Sequence, residues 1–215
     1  MQKQVDLIMF DLDGTLADTG KDIVTSANYV RHTLELDPLP GPVILSHLGL
    51  GLEFLIRGCL PLTHQHLVAQ ASEIFLAYYG DHLLDTTALY PNVIDTLEYY
   101  AAKKKAVISN KPTVGTIALL QGLGIERYFD MVLGGNSTSR KKPHPEQLTH
   151  ALSTLGVAPS KALMVGDDRP DIEAGKSAGV HTCGVTYGLG NQENLINAKP
   201  DLIIEDLLEL KDHYR

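Results

Sequence analysis

The sequence predicts an α/β fold: a parallel sheet covered by helices on both sides, interrupted after its first strand by a small all-helical block. Two observations carry this expectation. From residue 86 onward, short apolar runs alternate with segments of helical periodicity. Residues 17–85, by contrast, hold helical patterns and no convincing strand.

The first run, Val5–Phe10 (VDLIMF), is almost continuously apolar, as a strand buried on both faces should be. Helices are then expected over Lys21–Leu34, Gly51–Leu60 and Thr63–Tyr79, with Pro38, Pro40 and Pro42 interrupting them. The alternating part follows. Strands are expected at Lys105–Ser109, Met131–Leu133, Ala162–Val165, His181–Val185 and Leu202–Ile204. Helices are expected at Val93–Ala102, Thr113–Gln121, Pro145–Leu155 and Ile172–Ala178. Gly122, Gly156 and Gly179 stand where these helices should end. The expected division is a core of residues 1–16 and 86–215 and a helical cap of residues 17–85. The chain shows no internal repeat and no low-complexity tract.

Composition narrows the function classes. The 215 residues are 44% hydrophobic, enough for a packed core. The formal net charge of -8 repels a polyphosphate backbone, so no nucleic-acid partner is expected. An acidic protein that handles a phosphate ester needs a local cation, either a metal or a placed lysine. Cys59 and Cys183 lie far apart and form no C-x-x-C pair, which argues against a disulfide framework and for a reducing compartment. The apolar run Leu7–Phe10 is too short for a signal core, and no run approaches a membrane span. A cytoplasmic protein without a membrane partner is expected, as a monomer or homodimer.

The chemistry concentrates at strand ends, where open parallel sheets bind ligands. Asp11-Leu12-Asp13-Gly14-Thr15-Leu16 follows the first strand. Two carboxylates so close repel each other, and a hard cation such as magnesium relieves that repulsion. Gly14 lets the chain turn sharply away. The bland alternative is a turn with solvated acids. Ser109-Asn110-Lys111 follows the next strand and offers donors to phosphate oxygens. Lys142-Pro143 precedes a helix and offers a point charge, or else a surface basic cluster with Arg140 and Lys141. Gly166-Asp167-Asp168, with Asp171 beyond, supplies carboxylates at a further strand end, or merely caps for the following helix.

Together and in this order, these four clusters resemble the haloacid dehalogenase (HAD) superfamily of phosphohydrolases, and the resemblance spans the chain. It extends to the phosphoglycolate phosphatase-like subgroup with a helical cap, through Asp18, Leu48-Gly49-Leu50-Gly51, Tyr90-Pro91 and Ser109-Asn110-Lys111-Pro112. The resemblance implies a Rossmann-like parallel core and a magnesium-dependent phosphomonoester hydrolase working through a phospho-aspartyl intermediate. It implies a small phosphorylated metabolite, phosphoglycolate foremost, as the substrate. Asp11 would be the nucleophile and Asp13 the acid and base, with Asp13 also giving its carbonyl to magnesium. Ser109 and Asn110 would hold the phosphoryl group, and Lys142 would neutralise charge on it and on the nucleophile. Asp167 would bind the metal beside Asp11, with Asp171 and Thr15 in support. Asp168, where many relatives carry a small hydroxyl residue, would either tune metal affinity or face solvent and cap the helix, and the second is the favoured reading. Gly51 and Arg57 are the cap residues expected to select the substrate, Arg57 through a substrate carboxylate or else as a plain exposed helix arginine.

Other activities on the same scaffold remain as alternatives: a sugar phosphomutase, or a catalytically silent regulatory protein. Asp13 argues against a true dehalogenase or a phosphate-transporting ATPase, which lack that carboxylate. Lys21, the only cap lysine, lies near the linker and is poorly placed for carbon–phosphorus bond cleavage through a Schiff base. His64 and His66 would point to different faces of a helix and are not expected to chelate. The Tyr78-Tyr79 and Tyr99-Tyr100 pairs are read as packing residues.

Overall fold

The computed structural model describes residues 2–215. Six strands form one parallel sheet: β1 (Leu7–Phe10), β4 (Lys104–Ile108), β5 (Met131–Leu133), β6 (Ala162–Gly166), β7 (His181–Val185) and β8 (Leu202–Ile204). Their order is β5-β4-β1-β6-β7-β8. β1 pairs in parallel with β4 on one side and with β6 on the other. The connections therefore run in opposite directions from β1, and a crevice opens beyond its carboxyl end.

The pleat of β1 sends successive residues to opposite faces, and Leu7, Ile8, Met9 and Phe10 are all fully buried. Leu7 and Met9 pack in a cluster with Leu148, Ala151, Leu152 and Ala174, from α7 (Glu146–Leu155) and α8 (Arg169–Ala178). Ile8 and Phe10 belong to the larger cluster on the other face. That cluster takes in Val93 and Leu97 of α5 (Val93–Tyr99) and Leu119 and Leu120 of α6 (Thr113–Gly122). The continuous apolar runs of the sequence reflect this double coverage.

Between β1 and α5 the chain forms four helices: α1 (Gly20–Thr33), α2 (Gly41–Leu45), α3 (Leu52–Cys59) and α4 (Val68–His82). A short antiparallel ribbon closes their base, with β2 (Ala17–Asp18) paired to β3 (Ala88–Leu89). Asp22 on α1 reinforces the same junction. Its carboxylate accepts hydrogen bonds from the backbone N–H groups of Thr86 and Thr87 at 2.9–3.1 Å, and from the Thr87 hydroxyl at 2.8 Å. The Thr86 hydroxyl donates as well, at 2.5 Å.

Several elements differ from the sequence expectation, each for a local reason. The ribbon β2–β3 escapes detection because two-residue strands carry no periodicity. The proline-rich stretch holds helix α2, since Pro42 sits in its first turn, where no N–H is needed. The expected helix Thr63–Tyr79 is a 3₁₀ turn over Leu62–Leu67 followed by α4. Helix α6 runs through Gly122, and the left-handed turn falls at Gly124 instead. Helix α8 starts at Arg169 rather than Ile172, because Asp168 and Asp171 form a capping box around its first turn. Two short helices, α9 (Gln192–Asn197) and α10 (Leu210–His213), are additional. Both cysteines are buried free thiols. Among the described residues no helix is long and apolar enough to cross a membrane.

Asp22 makes a testable contribution to stability. Burial pushes its carboxyl pKa upward, but the hydrogen bonds from Thr86 and Thr87 outweigh this and lower it. The stabilisation is therefore fully present above the ordinary carboxylate value of about 4 and is lost as pH falls through the lower folded value. Asp22→Ala should cost about 2–4 kcal/mol at neutral pH, because it leaves backbone donors unpaired at a buried junction. Urea unfolding at pH 7 and pH 3 should show that deficit narrowing at the lower pH.

Candidate active site

The site is built from four loops that leave the carboxyl ends of adjacent strands. Asp11 follows β1, Ser109 follows β4, Lys142 lies in the loop after β5, and Asp167 follows β6. They meet in a cavity of about 600 Å³ between the sheet edge and the helical block. Its polar floor includes Asp11, Asp13, Ser109 and Lys142, and Leu52, Leu55 and Phe75 from the helical block line the opposite wall.

Lys142 organises the floor. Its ammonium group, 2% exposed, donates to Asp11 Oδ1 at 2.7 Å, to Asp171 Oδ1 at 2.6 Å and to the carbonyl of Ile108 at 2.6 Å. All three protons are thereby used. Burial lowers the Lys142 pKa and the two carboxylates raise it, with a net upward shift, so the side chain is a fixed cation. Asp171 is equally committed. Its second oxygen accepts from the backbone N–H of Asp168 at 3.2 Å.

Asp167 is held by a different set of donors. Thr15 Oγ1 donates to its Oδ1 at 3.1 Å, and the backbone N–H groups of Leu189 and Gly190 donate to its Oδ2 at 2.9 and 2.8 Å. Gly14 passes directly over this carboxylate with φ +90°. A side chain there would be strained by the backbone conformation and would collide with Asp167 Oδ2. Tyr187 pins the same turn by donating to the Thr15 carbonyl at 2.8 Å.

Asp13 stands at the outer edge of the floor. Its Oδ1 accepts the Thr19 hydroxyl at 2.6 Å and lies 3.1 Å from the Lys111 ammonium. Among the described residues no backbone N–H donates to the Asp13 carbonyl, whereas the Leu12 carbonyl accepts from Thr15, Leu16 and Ala17.

The charges do not balance within the protein. Five carboxylates line the cavity, Asp11, Asp13, Asp167, Asp168 and Asp171, against two ammonium groups, Lys111 and Lys142. Burial, opposed by Lys142 and reinforced by Asp171, pushes the Asp11 carboxyl up to about 7. Burial and the neighbouring Asp11 and Asp171 charges push Asp167 well above the ordinary range. One carboxylate oxygen from each of Asp11, Asp167 and Asp171 lies within 4.8 Å of the others. An all-oxygen donor set with excess negative charge suits a hard divalent cation. Asp11, Asp167 and the free Asp13 carbonyl could hold it; Asp171 stands beside them with both oxygens accepting from the protein, from Lys142 and from the Asp168 N–H.

Ser109 and Asn110 complete the floor. The Ser109 hydroxyl accepts from the backbone N–H of Lys111 at 3.1 Å, and its proton stays free for a ligand. The Asn110 amide donates to the carbonyls of Gly49 and Lys142 at 2.7 and 2.8 Å, which ties the helical block to the core. Gln147, fully buried, donates to the carbonyls of Ser109 and Gly134 and accepts from the Lys142 N–H at 3.3 Å.

The structure thus brings together Asp11, Asp13, Thr15, Ser109, Asn110, Lys142, Asp167 and Asp171. Gly51 also lines the cavity. Arg57 does not. It is exposed on α3, where its guanidinium is paired with Glu53 one turn away and reaches Gln65. Asp168 caps α8, but it is partly buried and lines the cavity rather than facing bulk solvent. The sequence places Lys111 only within the Ser109-Asn110-Lys111 loop, with no role of its own, and Tyr79 only as a packing residue; Gln147 and the loop Gly188–Gly190 it does not single out. That loop does carry a signal, two glycines spaced by one residue just after a strand, which often marks close backbone approach.

The chain belongs to the haloacid dehalogenase-like hydrolases: the sequence model of that family matches residues 8–185. Among curated relatives, the chain is 35% identical to the phosphoglycolate phosphatase of Nitrosococcus oceani, over 99% of this chain and 97% of the relative. It is 36% identical to that of Haemophilus influenzae, over 98% of both chains. Among solved structures, a protein described as a predicted phosphoglycolate phosphatase from Haemophilus somnus superimposes with a TM-score of 0.91 at 31% identity, covering 97% of each chain. A haloacid dehalogenase-like family hydrolase from Streptococcus pneumoniae gives 0.87 at 28% identity, again over 97% of each.

The close approach of Gly14 to Asp167 is open to test. Gly14→Ala should displace that carboxylate and weaken divalent-cation binding about 10- to 100-fold, as loss of an outer support does at metal sites. Calorimetric titration of the folded variant with magnesium or manganese reads this directly.

Proposed function

We propose that this protein is a magnesium-dependent phosphomonoester hydrolase that acts through a phospho-aspartyl intermediate on Asp11, with phosphoglycolate as the substrate. The observation that carries the reading is the buried Lys142 ammonium on Asp11, with Asp13 two residues further along the same loop. Lys142 leaves Asp11 Oδ2 free to attack phosphorus while neutralising the charge that builds on the nucleophile and the phosphoryl oxygens. Asp13 donates a proton to the departing alcohol oxygen, then accepts one from the water that attacks the acyl phosphate. The Ser109 hydroxyl and the Asn110 backbone hold the transferring phosphoryl group. Magnesium, when held by Asp11, the Asp13 carbonyl and Asp167, supplies the positive charge that lets an anionic nucleophile approach an anionic ester.

We further propose that residues 17–85 act as a cap over a core of residues 1–16 and 86–215. Two contacts that cross between these segments support it, Asn110 to the Gly49 carbonyl and Lys111 to the Tyr79 hydroxyl. The relatives' names support the choice of phosphoglycolate. The cytoplasm is the proposed setting, in keeping with two free buried thiols.

Asp11→Asn should lower the rate of phosphate release from phosphoglycolate and from an aryl phosphate by about 10³-fold or more, as loss of a nucleophile does. The thermal midpoint should hold, because the variant keeps the shape of the side chain. Chelation with EDTA should abolish release in the wild type, and added magnesium should restore it. Full activity in Asp11→Asn would remove the nucleophile from the account.

A further inference from the structure

Two lysines face the cavity, and the reading above uses only one of them. Lys142 has spent its three protons on Asp11, Asp171 and Ile108, so it serves the nucleophile end of the reaction. Lys111 lies at the other end. Its side chain is 9% exposed, and its ammonium sits 3.1 Å from Asp13 Oδ1 and 3.1 Å from the Tyr79 hydroxyl. The ammonium also lies 4.6 Å from the centre of the Tyr79 ring. Asp13 and Tyr79 are its polar partners among the described residues, and an ammonium has three protons to give. One donor therefore remains for a ligand, on a side chain that lines the cavity.

We propose that Lys111, oriented by Tyr79, recognises a carboxylate carried by the leaving alcohol of the substrate, and so is the specificity-determining residue of the site. The inference rests on the phosphatase reading and deepens it. Asp13, as the acid, must touch the ester oxygen at hydrogen-bond distance. The Lys111 ammonium is 3.1 Å from Asp13 Oδ1, so it stands within about 8 Å of that oxygen even when the acid works through Oδ2, two hydrogen-bond lengths and the width of one carboxyl group. A carboxylate on the carbon next to the ester oxygen lies inside that span. One spare ammonium proton matches one unit of negative charge, which suits a carboxylate better than a second phosphate dianion. Leu52, Leu55, Phe75 and Leu76 of the helical block also line the cavity, and the polar side chains Ser46, Asn191 and Asn194 on its lining carry no charge to match a carboxylate. Arg57, the sequence candidate for this task, is turned away on α3. Tyr79 belongs to the helical block, so an anion bound at Lys111 draws on both sides of the cavity at once.

The test uses non-hydrolysable ligands, so that recognition is read apart from turnover. With magnesium present, calorimetry should compare 3-phosphonopropionate, isosteric with phosphoglycolate, and the uncharged-tail analogue propylphosphonate. The wild type should prefer the carboxylate by about 30-fold, the size of one buried charge-assisted hydrogen bond. In Lys111→Met the preference should collapse to about threefold or less, and Lys111→Arg should keep most of it, because it keeps the charge. Each preference is a ratio within one protein, so a partial loss of stability does not imitate the effect. A wild-type preference that survives intact in Lys111→Met, or the absence of any preference in the wild type, would overturn the assignment. Failure of the wild type to hydrolyse any phosphomonoester would sink the catalytic reading instead, and the binding ratios would still decide the role of Lys111.

Discussion

The ion pair between Lys142 and the two carboxylates Asp11 and Asp171 is the constraint on which the rest of the site depends. One ammonium group joins the loop after β1, the first turn of α8, the end of β4 and its own loop after β5. Each of these charges would be costly to bury alone, and together they satisfy one another. Gln147 fixes the backbone beneath Lys142 and Ser109 with a single buried amide. The sheet supplies the frame: β1 lies between β4 and β6, so the three strand ends that carry Asp11, Ser109 and Asp167 are neighbours without any further device.

The same interaction shapes the chemistry. Lys142 occupies only one oxygen of Asp11, and the other is the one proposed to attack, whereas both oxygens of Asp171 already accept from the protein. The excess negative charge then falls on Asp11 and Asp167, both of which burial pushes toward the protonated form. A divalent cation held at that point would favour the charged form of both. The two lysines divide the cavity between them, Lys142 on Asp11 and Lys111 beside Asp13.

Much of this was legible in the sequence. The run Leu7–Phe10 signalled a doubly covered strand, and Asp11, Ser109, Lys142 and Asp167 signalled polar groups at successive strand ends. Asp168 as a helix cap was also readable, since its geometry is local. What was not legible depends on tertiary direction. Lys111 looked like part of an ordinary loop, because its partners Asp13 and Tyr79 are remote in sequence and its charge is hidden only after folding. Arg57 looked suitable for a ligand, but α3 turns it outward to Glu53. Helical periodicity fixes which residues share a face, not which way that face turns. Helix α2 was hidden by prolines that read as breakers, although Pro42 fits a first turn.

The central claim is that Asp11 itself carries the phosphoryl group during turnover. The most direct measurement is to quench the enzyme with acid while it turns over substrate, reduce with borohydride, and sequence the peptides by mass spectrometry. Borohydride converts an acyl phosphate to an alcohol and leaves a free carboxylate untouched. The account predicts homoserine at position 11 and unmodified aspartate at 13, 167 and 171. Unmodified aspartate at position 11, in a sample that is releasing phosphate, would contradict it.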